Sequence, residues 1–227
     1  MSARLRLAVF DVDGTLSDSQ AEIVSAMCAA FEGENLAPPP RAAILVIVGL
    51  SLDHAMIRLA PDLSATRHTR LVEGYKSAYH QQRQQNGASP LYKGARAALE
   101  TLARDPFLLM GVATGKSKRG LDALIEAHDL AAFFVTRQVA DFHPSKPHPA
   151  MLNAALGEAG VGAADAVMIG DTTFDMEMAR AAGTHAIGVD WGYHPAAALD
   201  ATMVISDFAV LPGAIESVLT ARVENRS

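Results

Sequence analysis

The stretch LRLAVFDVDGTLSDS puts two carboxylates, Asp11 and Asp13, directly after a run from Leu5 to Phe10 that reads as a buried strand. A buried strand ending in two acids builds in repulsion, so something must use or neutralise those charges. Other strand-like runs also end in polar groups. LLMGVATGK delivers Thr114 and Gly115, HPSKPHP carries Lys146 ahead of a helix with Pro147 near its start, and AVMIG delivers Asp171. Thr172-Thr173-Phe174 then leads to Asp175. On the first turn of a helix, a spacing of four brings Asp175 near Asp171.

Each of these signals is weak alone. An Asp after a strand is commonly only a helix N-cap, a Thr is commonly a turn hydroxyl, and most lysines are solvated. Together they place four acids, one lysine and one hydroxyl at one edge of one sheet, where open parallel sheets bind ligands. Clustered carboxylates need a cation, and oxygen-only ligands point to Mg²⁺ rather than zinc. A lysine and a hydroxyl beside Mg²⁺ point to a phosphoryl group. Four carboxylates and a phosphate dianion face only Lys146, so the metal is needed for charge balance.

The elements that must hold these groups follow from the apolar pattern. Leu5–Phe10, Phe107–Ala113, Phe133–Thr136, Ala166–Ile169, His185–Val189 and Thr202–Ile205 read as buried parallel strands. Helical spacing recurs between them, as in Leu121, Leu124, Ile125 and His128, or Met151, Leu152, Ala155 and Leu156. Gly183 falls where a helix end needs a left-handed residue. The alternation predicts an α/β fold, a doubly wound, mostly parallel Rossmann-like sheet covered on both faces. Only the stretch from Ser17 to about Gly87 lacks strand signals. Ser19-x-x-Glu22 reads as a capping box, Pro38-Pro39-Pro40 opens a second helix, and Asp62 to Gln85 holds a long polar one. We expect an all-helical domain at 17–87 inserted into a core of 1–16 and 88–227, with linkers near Ser17–Ser19 and Asn86–Pro90.

Composition narrows the class. The net charge of −6 disfavours nucleic acid or an anionic membrane as partner. Cys28 is the single cysteine, which fits a reducing compartment. The N-terminal apolar stretch stops at Asp11, too short for a signal peptide. The longest apolar run, Ala42 to Leu50, is far short of the ~20 residues of a membrane helix. The expectation is a soluble cytoplasmic protein, a monomer or small homo-oligomer.

In order and spacing, Asp11-Val12-Asp13-Gly14-Thr15, Thr114-Gly115, Lys146-Pro147 and Gly170-Asp171-x-x-x-Asp175 resemble the haloacid dehalogenase superfamily of phosphohydrolases. The insertion after the first motif is similar to the family's helical cap, and the phosphoglycolate phosphatase-like branch is the nearest in pattern. The resemblance implies a Mg²⁺-dependent phosphatase acting on a small phosphorylated metabolite, phosphoglycolate-like or a sugar phosphate. It implies Asp11 as nucleophile, forming an aspartyl phosphate, and Asp13 as general acid and then base. Mg²⁺ would be held by Asp11, the backbone carbonyl of Asp13, and Asp171. Asp175 would support the metal from behind and orient Lys146. Thr114, Gly115 and Lys146 would hold the substrate phosphate, helped by N–H groups near Val12 and Gly115.

Three rival families share parts of this pattern. Gly111 to Ser117 nearly spells a phosphate-binding P-loop, but three residues rather than four separate its glycines. A phosphorylated-aspartate signalling receiver uses similar residues in about half this length, without a cap. A β-phosphoglucomutase shares the core, but that branch carries a His and a Lys early in the first cap helix, where Gln20 to Cys28 has neither. The remaining polar residues fit structural or solvated positions. His143 and His148 are loop residues, Trp191 to His194 a strand-end loop, and Arg41 and Arg58 solvated cap residues able to meet a substrate carboxylate.

Overall fold

The computed structural model describes residues 4–220. Its sheet comprises β1 (Arg6–Phe10), β2 (Leu108–Thr114), β3 (Thr136–Val139), β4 (Ala166–Gly170), β5 (His185–Val189) and β6 (Met203–Ile205). All neighbours run parallel, in the order β3-β2-β1-β4-β5-β6. The chain leaves β1 first toward β2 and β3, then returns to its other side for β4. The order therefore reverses between β1 and β4, the position at which such sheets open a ligand crevice.

Successive side chains of a strand point to opposite faces, and β1 buries both. Leu7 and Val9 pack with Met151, Leu152, Met176 and Met178, on α7 (Ala150–Ala159) and α8 (Thr173–Ala182). Ala8 and Phe10 pack with Leu99, Leu121 and Ile215, on α5 (Ala95–Leu102), α6 (Lys118–Ala127) and α9 (Leu211–Thr220). Helices on both faces make the sheet doubly wound, which is why its strands read as continuous apolar runs.

Between β1 and α5 lie α1 (Gln20–Gly33), α2 (Arg41–Leu45), α3 (Leu52–Leu59) and α4 (Ala65–Asn86). They share a separate apolar cluster that includes Ile23, Met27, Phe31, Ile44, Met56 and Leu71. The two connections to the rest of the chain run beside each other. Asp18 N donates to Pro90 O at 2.9 Å, Tyr92 N donates to Leu16 O at 2.9 Å, and Ser17 bridges antiparallel to Leu91. Among the described residues, no helix is long and apolar enough to cross a membrane.

Three local expectations need correction. The third strand begins at Thr136, so the apolar run from Phe133 is mostly the turn before it. Phe134 is buried edge-on against Phe10, with ring centres 6.3 Å apart, while Val135 is exposed, so the run records core filling rather than pairing. Ser19 stands at the N-cap of α1 but makes no cap hydrogen bond, because its hydroxyl is used elsewhere. Pro149, not Pro147, immediately precedes α7. Gly183 does end α8, with φ at 73°.

Phe10 is fully buried one residue before Asp11. Phe10→Ala should lower unfolding stability by about 3–5 kcal/mol, the usual cost of emptying an aromatic site in a core, measured by urea denaturation. A loss below about 1 kcal/mol would mean that the surrounding helices collapse into the space.

Candidate active site

The backbone of β1 continues one residue past the strand, where Asp11 N donates to Ile169 O of β4 at 2.9 Å. Asp11 is thereby fixed at the crevice between the two central strands. The chain then turns tightly, and the Val12 carbonyl accepts from Leu16 N and Ser17 N, both at 2.9 Å. Gly14 is required in this turn for two reasons. Its φ is +86°, and a Cβ would lie 2.2 Å from Asp171 Oδ2. The close approach lets Thr15 Oγ1 donate to Asp171 Oδ1 at 2.9 Å.

Asp171 follows β4 and is fully buried. Its second oxygen accepts from Tyr193 N at 2.8 Å. Asp175 sits in the first turn of α8, in a reciprocal cap with Thr172. Its Oδ2 accepts from Thr172 N at 3.0 Å and Thr172 Oγ1 at 2.7 Å, and its Oδ1 accepts from Lys146 Nζ at 2.7 Å. Lys146 Nζ also lies 2.9 Å from Asp11 Oδ1. That contact is an ion pair without hydrogen-bond geometry, so Asp11 Oδ1 is buried with no hydrogen-bond donor. Thr114 is buried at the end of β2, and its hydroxyl accepts from Lys116 N at 3.2 Å. Gly115 has no room for a side chain, because a Cβ would lie 2.5 Å from Gly49 O and 2.6 Å from Leu50 O.

One oxygen from each of Asp11, Asp171 and Asp175 falls within 4.8 Å of the others. Three buried carboxylates thus crowd against one ammonium. Burial, only partly offset by Lys146, and the charge of Asp175 push the Asp11 carboxyl up to about 6. Burial, then Asp11 and Asp175, push Asp171 well above the ordinary carboxylate range. Burial alone would lower Lys146, but Asp11 and Asp175 keep it firmly charged. The cluster is short of positive charge and offers only hard oxygen ligands. It fits a Mg²⁺ ion.

Asp13 is separate from this group. Both its oxygens accept from Lys116 Nζ at 2.8 Å, and Oδ1 also accepts from Ser19 Oγ at 2.6 Å. Ser19 Oγ in turn lies 3.0 Å from Tyr193 OH. Sequence reasoning missed Lys116, Ser19 and Tyr193 as site residues. The signal for Lys116 was present, since it directly follows Thr114-Gly115, but it was weighed only as part of a near P-loop. Ser19 was hidden by its match to a capping box, and Tyr193 by a strand-end loop that folds back over the crevice. His194 in that loop joins Thr173 N, at 3.1 Å, to Val46 O, at 3.0 Å.

A cavity of about 420 Å³ opens above Asp11 and Asp13, walled by Thr114 to Gly120 on one side and by α1, α3 and α4 on the other. Arg41, Arg58, His143 and His148 do not line it. Arg41 bonds Gln20, Arg58 stacks over Phe174 at 5.9 Å, His143 meets Gln138 at 2.7 Å, and His148 accepts from Ala150 N at 3.2 Å.

Known proteins resemble this chain along most of its length. The sequence model of the haloacid dehalogenase-like hydrolases matches residues 8–189. The Dickeya dadantii protein named Probable phosphatase IndB is 35% identical over 94% of this chain and 94% of its own length. A phosphoglycolate phosphatase of Rhodospirillum rubrum is 33% identical, covering 91% of this chain and 89% of its own. The crystal structure of a hydrolase from Pseudomonas syringae superposes with a TM-score of 0.83 at 26% identity, covering 93% of this chain and 98% of that one.

Burial pushes the Asp11 carboxyl up to about 6 in the folded protein, from an ordinary value of 3.8. The folded state therefore binds that proton more tightly than the unfolded chain does, and Asp11 increasingly opposes folding as pH rises through that window. In EDTA at pH 7.5, Asp11→Asn should melt roughly 2–8 °C above the parent, the equivalent of about 1–2 kcal/mol in a domain this size. The gain should shrink toward pH 4. A variant that melts below the parent at both pH values would mean that the Lys146 pairing outweighs the crowding.

Proposed function

The chain belongs to the haloacid dehalogenase-like hydrolase family, and from that premise we propose a Mg²⁺-dependent phosphatase that hydrolyses small phosphate monoesters through an aspartyl phosphate. The observation that carries the reading is the buried Asp11–Lys146–Asp175 chain beside Asp171 at the strand-order reversal, with Asp13 at the floor of the same cavity. The names of the relatives support phosphate esters as the substrate class.

In this reading the Asp11 carboxylate attacks phosphorus as the ester P–O bond breaks, and the leaving oxygen takes a proton from Asp13. Asp13 then accepts a proton from water as the water attacks phosphorus. The bond to Asp11 breaks and inorganic phosphate leaves. Lys146, Thr114 and the backbone at Gly115 hold the transferring oxygens. Asp11, the Asp13 carbonyl and Asp171 would hold Mg²⁺, which supplies positive charge against the phosphate oxygens. Asp175 fixes Lys146 and closes the cluster from behind. Ser19 holds Asp13 toward the cavity.

Residues 17–87 act as a cap on the core of 1–16 and 88–227, opening about the paired linkers to admit substrate and closing to exclude water. Support comes from the cavity being walled from both sides. A lid of this kind favours small metabolites, phosphoglycolate-like or sugar phosphates, over phosphoproteins. Single Cys28 and the acidic balance suit a cytoplasmic enzyme.

Hydrolysis of p-nitrophenyl phosphate tests the reading. Excess EDTA should abolish turnover and Mg²⁺ restore it, whereas Ca²⁺, with its larger and looser shell, should restore little. Full activity after metal stripping would sink the mechanism. Asp11→Asn should lose turnover with an unchanged circular dichroism spectrum. Retained turnover would assign the nucleophile elsewhere.

A further inference from the structure

The side of the cavity away from the Asp11 cluster is cationic, although the chain as a whole carries a net charge of −6. Lys76, Arg83, Lys116 and Arg119 line it, against only Asp53 and Asp141 once Asp11 and Asp13 are set aside. Among the described residues, Arg83 and Arg119 have no carboxylate within ion-pair distance. Arg119 instead reaches His80 of α4, at 3.0 Å.

Lys116 is the buried member of this wall, with its side chain only 9% exposed. Its stem lies along the first turn of α6, where Gly120 leaves it room. Its ammonium touches two things. One is Asp13, the acid on the leaving-group side of the reaction. The other is Tyr79 of α4, whose hydroxyl is 3.3 Å away and whose ring centre is 5.0 Å away. Tyr79 is itself braced by stacking on Tyr75, with ring centres 5.8 Å apart. A group attached to the leaving oxygen, and so held near Asp13, would lie beside this ammonium and phenol.

We propose that Lys116 and Tyr79, backed by Arg119, form a subsite for a second anionic group on the substrate. The substrate class is then a small phosphate monoester whose leaving group carries a carboxylate or a second phosphate. This rests on the phosphatase reading above and narrows it. The lysine exchanges one carboxylate partner, Asp13, for the substrate's anion, so its own charge is never left unpaired in the buried wall.

Calorimetric binding in Mg²⁺ tests the subsite without turnover. The probes are propylphosphonate, with one anionic group, 3-phosphonopropionate, which adds a carboxylate, and ethane-1,2-bisphosphonate, which adds a second phosphonate. The parent should bind at least one doubly anionic probe about tenfold or more tighter than propylphosphonate, as a charge-assisted hydrogen bond predicts. The tighter of the two identifies the anion. Lys116→Met should shrink that preference to about threefold or less, Lys116→Arg should keep part of it, and Arg119→Gln should lower it independently. In turnover, Lys116→Met should reduce the ratio of kcat/KM for phosphoglycolate to that for ethyl phosphate by about tenfold. Equal binding of all three probes by the parent would overturn the proposal. So would a Lys116→Met variant that weakens all three by one factor, since the lysine would then serve Asp13 alone. A preserved binding preference with no turnover of any ester would support the subsite and sink the phosphatase reading instead.

Discussion

Mutual repulsion among three buried carboxylates is the constraint on which the rest of the site depends. Asp11 and Asp171 come from the two strands that flank the reversal of strand order, and Asp175 from the helix that follows the second. No sheet would gather these charges for stability alone, because burial penalises each one and each penalises the others. Lys146 holds two of them together, and backbone and hydroxyl donors satisfy Asp171 and the far oxygen of Asp175. The balance remains negative, with three carboxylates against one ammonium. The fold keeps that deficit at the strand-order reversal, where such sheets open a ligand crevice.

Close packing is what makes the cluster possible. Gly14, Gly170 and Gly192 each bring backbone against Asp171 or Asp175 at distances that leave no room for a Cβ. The carboxylates therefore cannot swing apart to relieve their repulsion. β1 supplies the rigid support, since its side chains are buried on both faces of the sheet, and Asp11 is tied to β4 by one further backbone hydrogen bond.

The two lysines serve different acids. Lys146, fully buried, pairs with Asp11 and Asp175, and Lys116, on the cavity wall, meets Asp13 and Tyr79. Several bonds join the inserted helices to the core around this cavity. They run from Ser51 N to Ser145 Oγ at 2.8 Å, from His194 to Val46 O, and from Lys116 to Tyr79. Ser145 directly precedes Lys146, so the position of the helical segment is coupled to the residue that clamps Asp11.

By itself the sequence determined the doubly wound sheet, the helical insertion and the acids at the strand ends. Those features are local, since apolar runs bounded by polar residues follow strand and helix periods. Asp171 and Asp175 do share one cluster, but Asp171 stands before the N-cap of α8, so the extended step through Thr172 rather than a helical turn sets their approach. Where the third strand starts was not legible, since Phe134 is apolar to fill the core against Phe10 rather than to pair. Only tertiary structure decided the fate of Ser19 and Lys116. Ser19 matches a helix cap, yet its hydroxyl turns to Asp13. Lys116 is one of five lysines, with no local mark of its role until α4 brings Tyr79 over it and Asp13 meets it from a loop 103 residues away in sequence. Local pattern says which groups stand at a sheet edge, but the partner of a buried charge is chosen by whichever distant element closes over it.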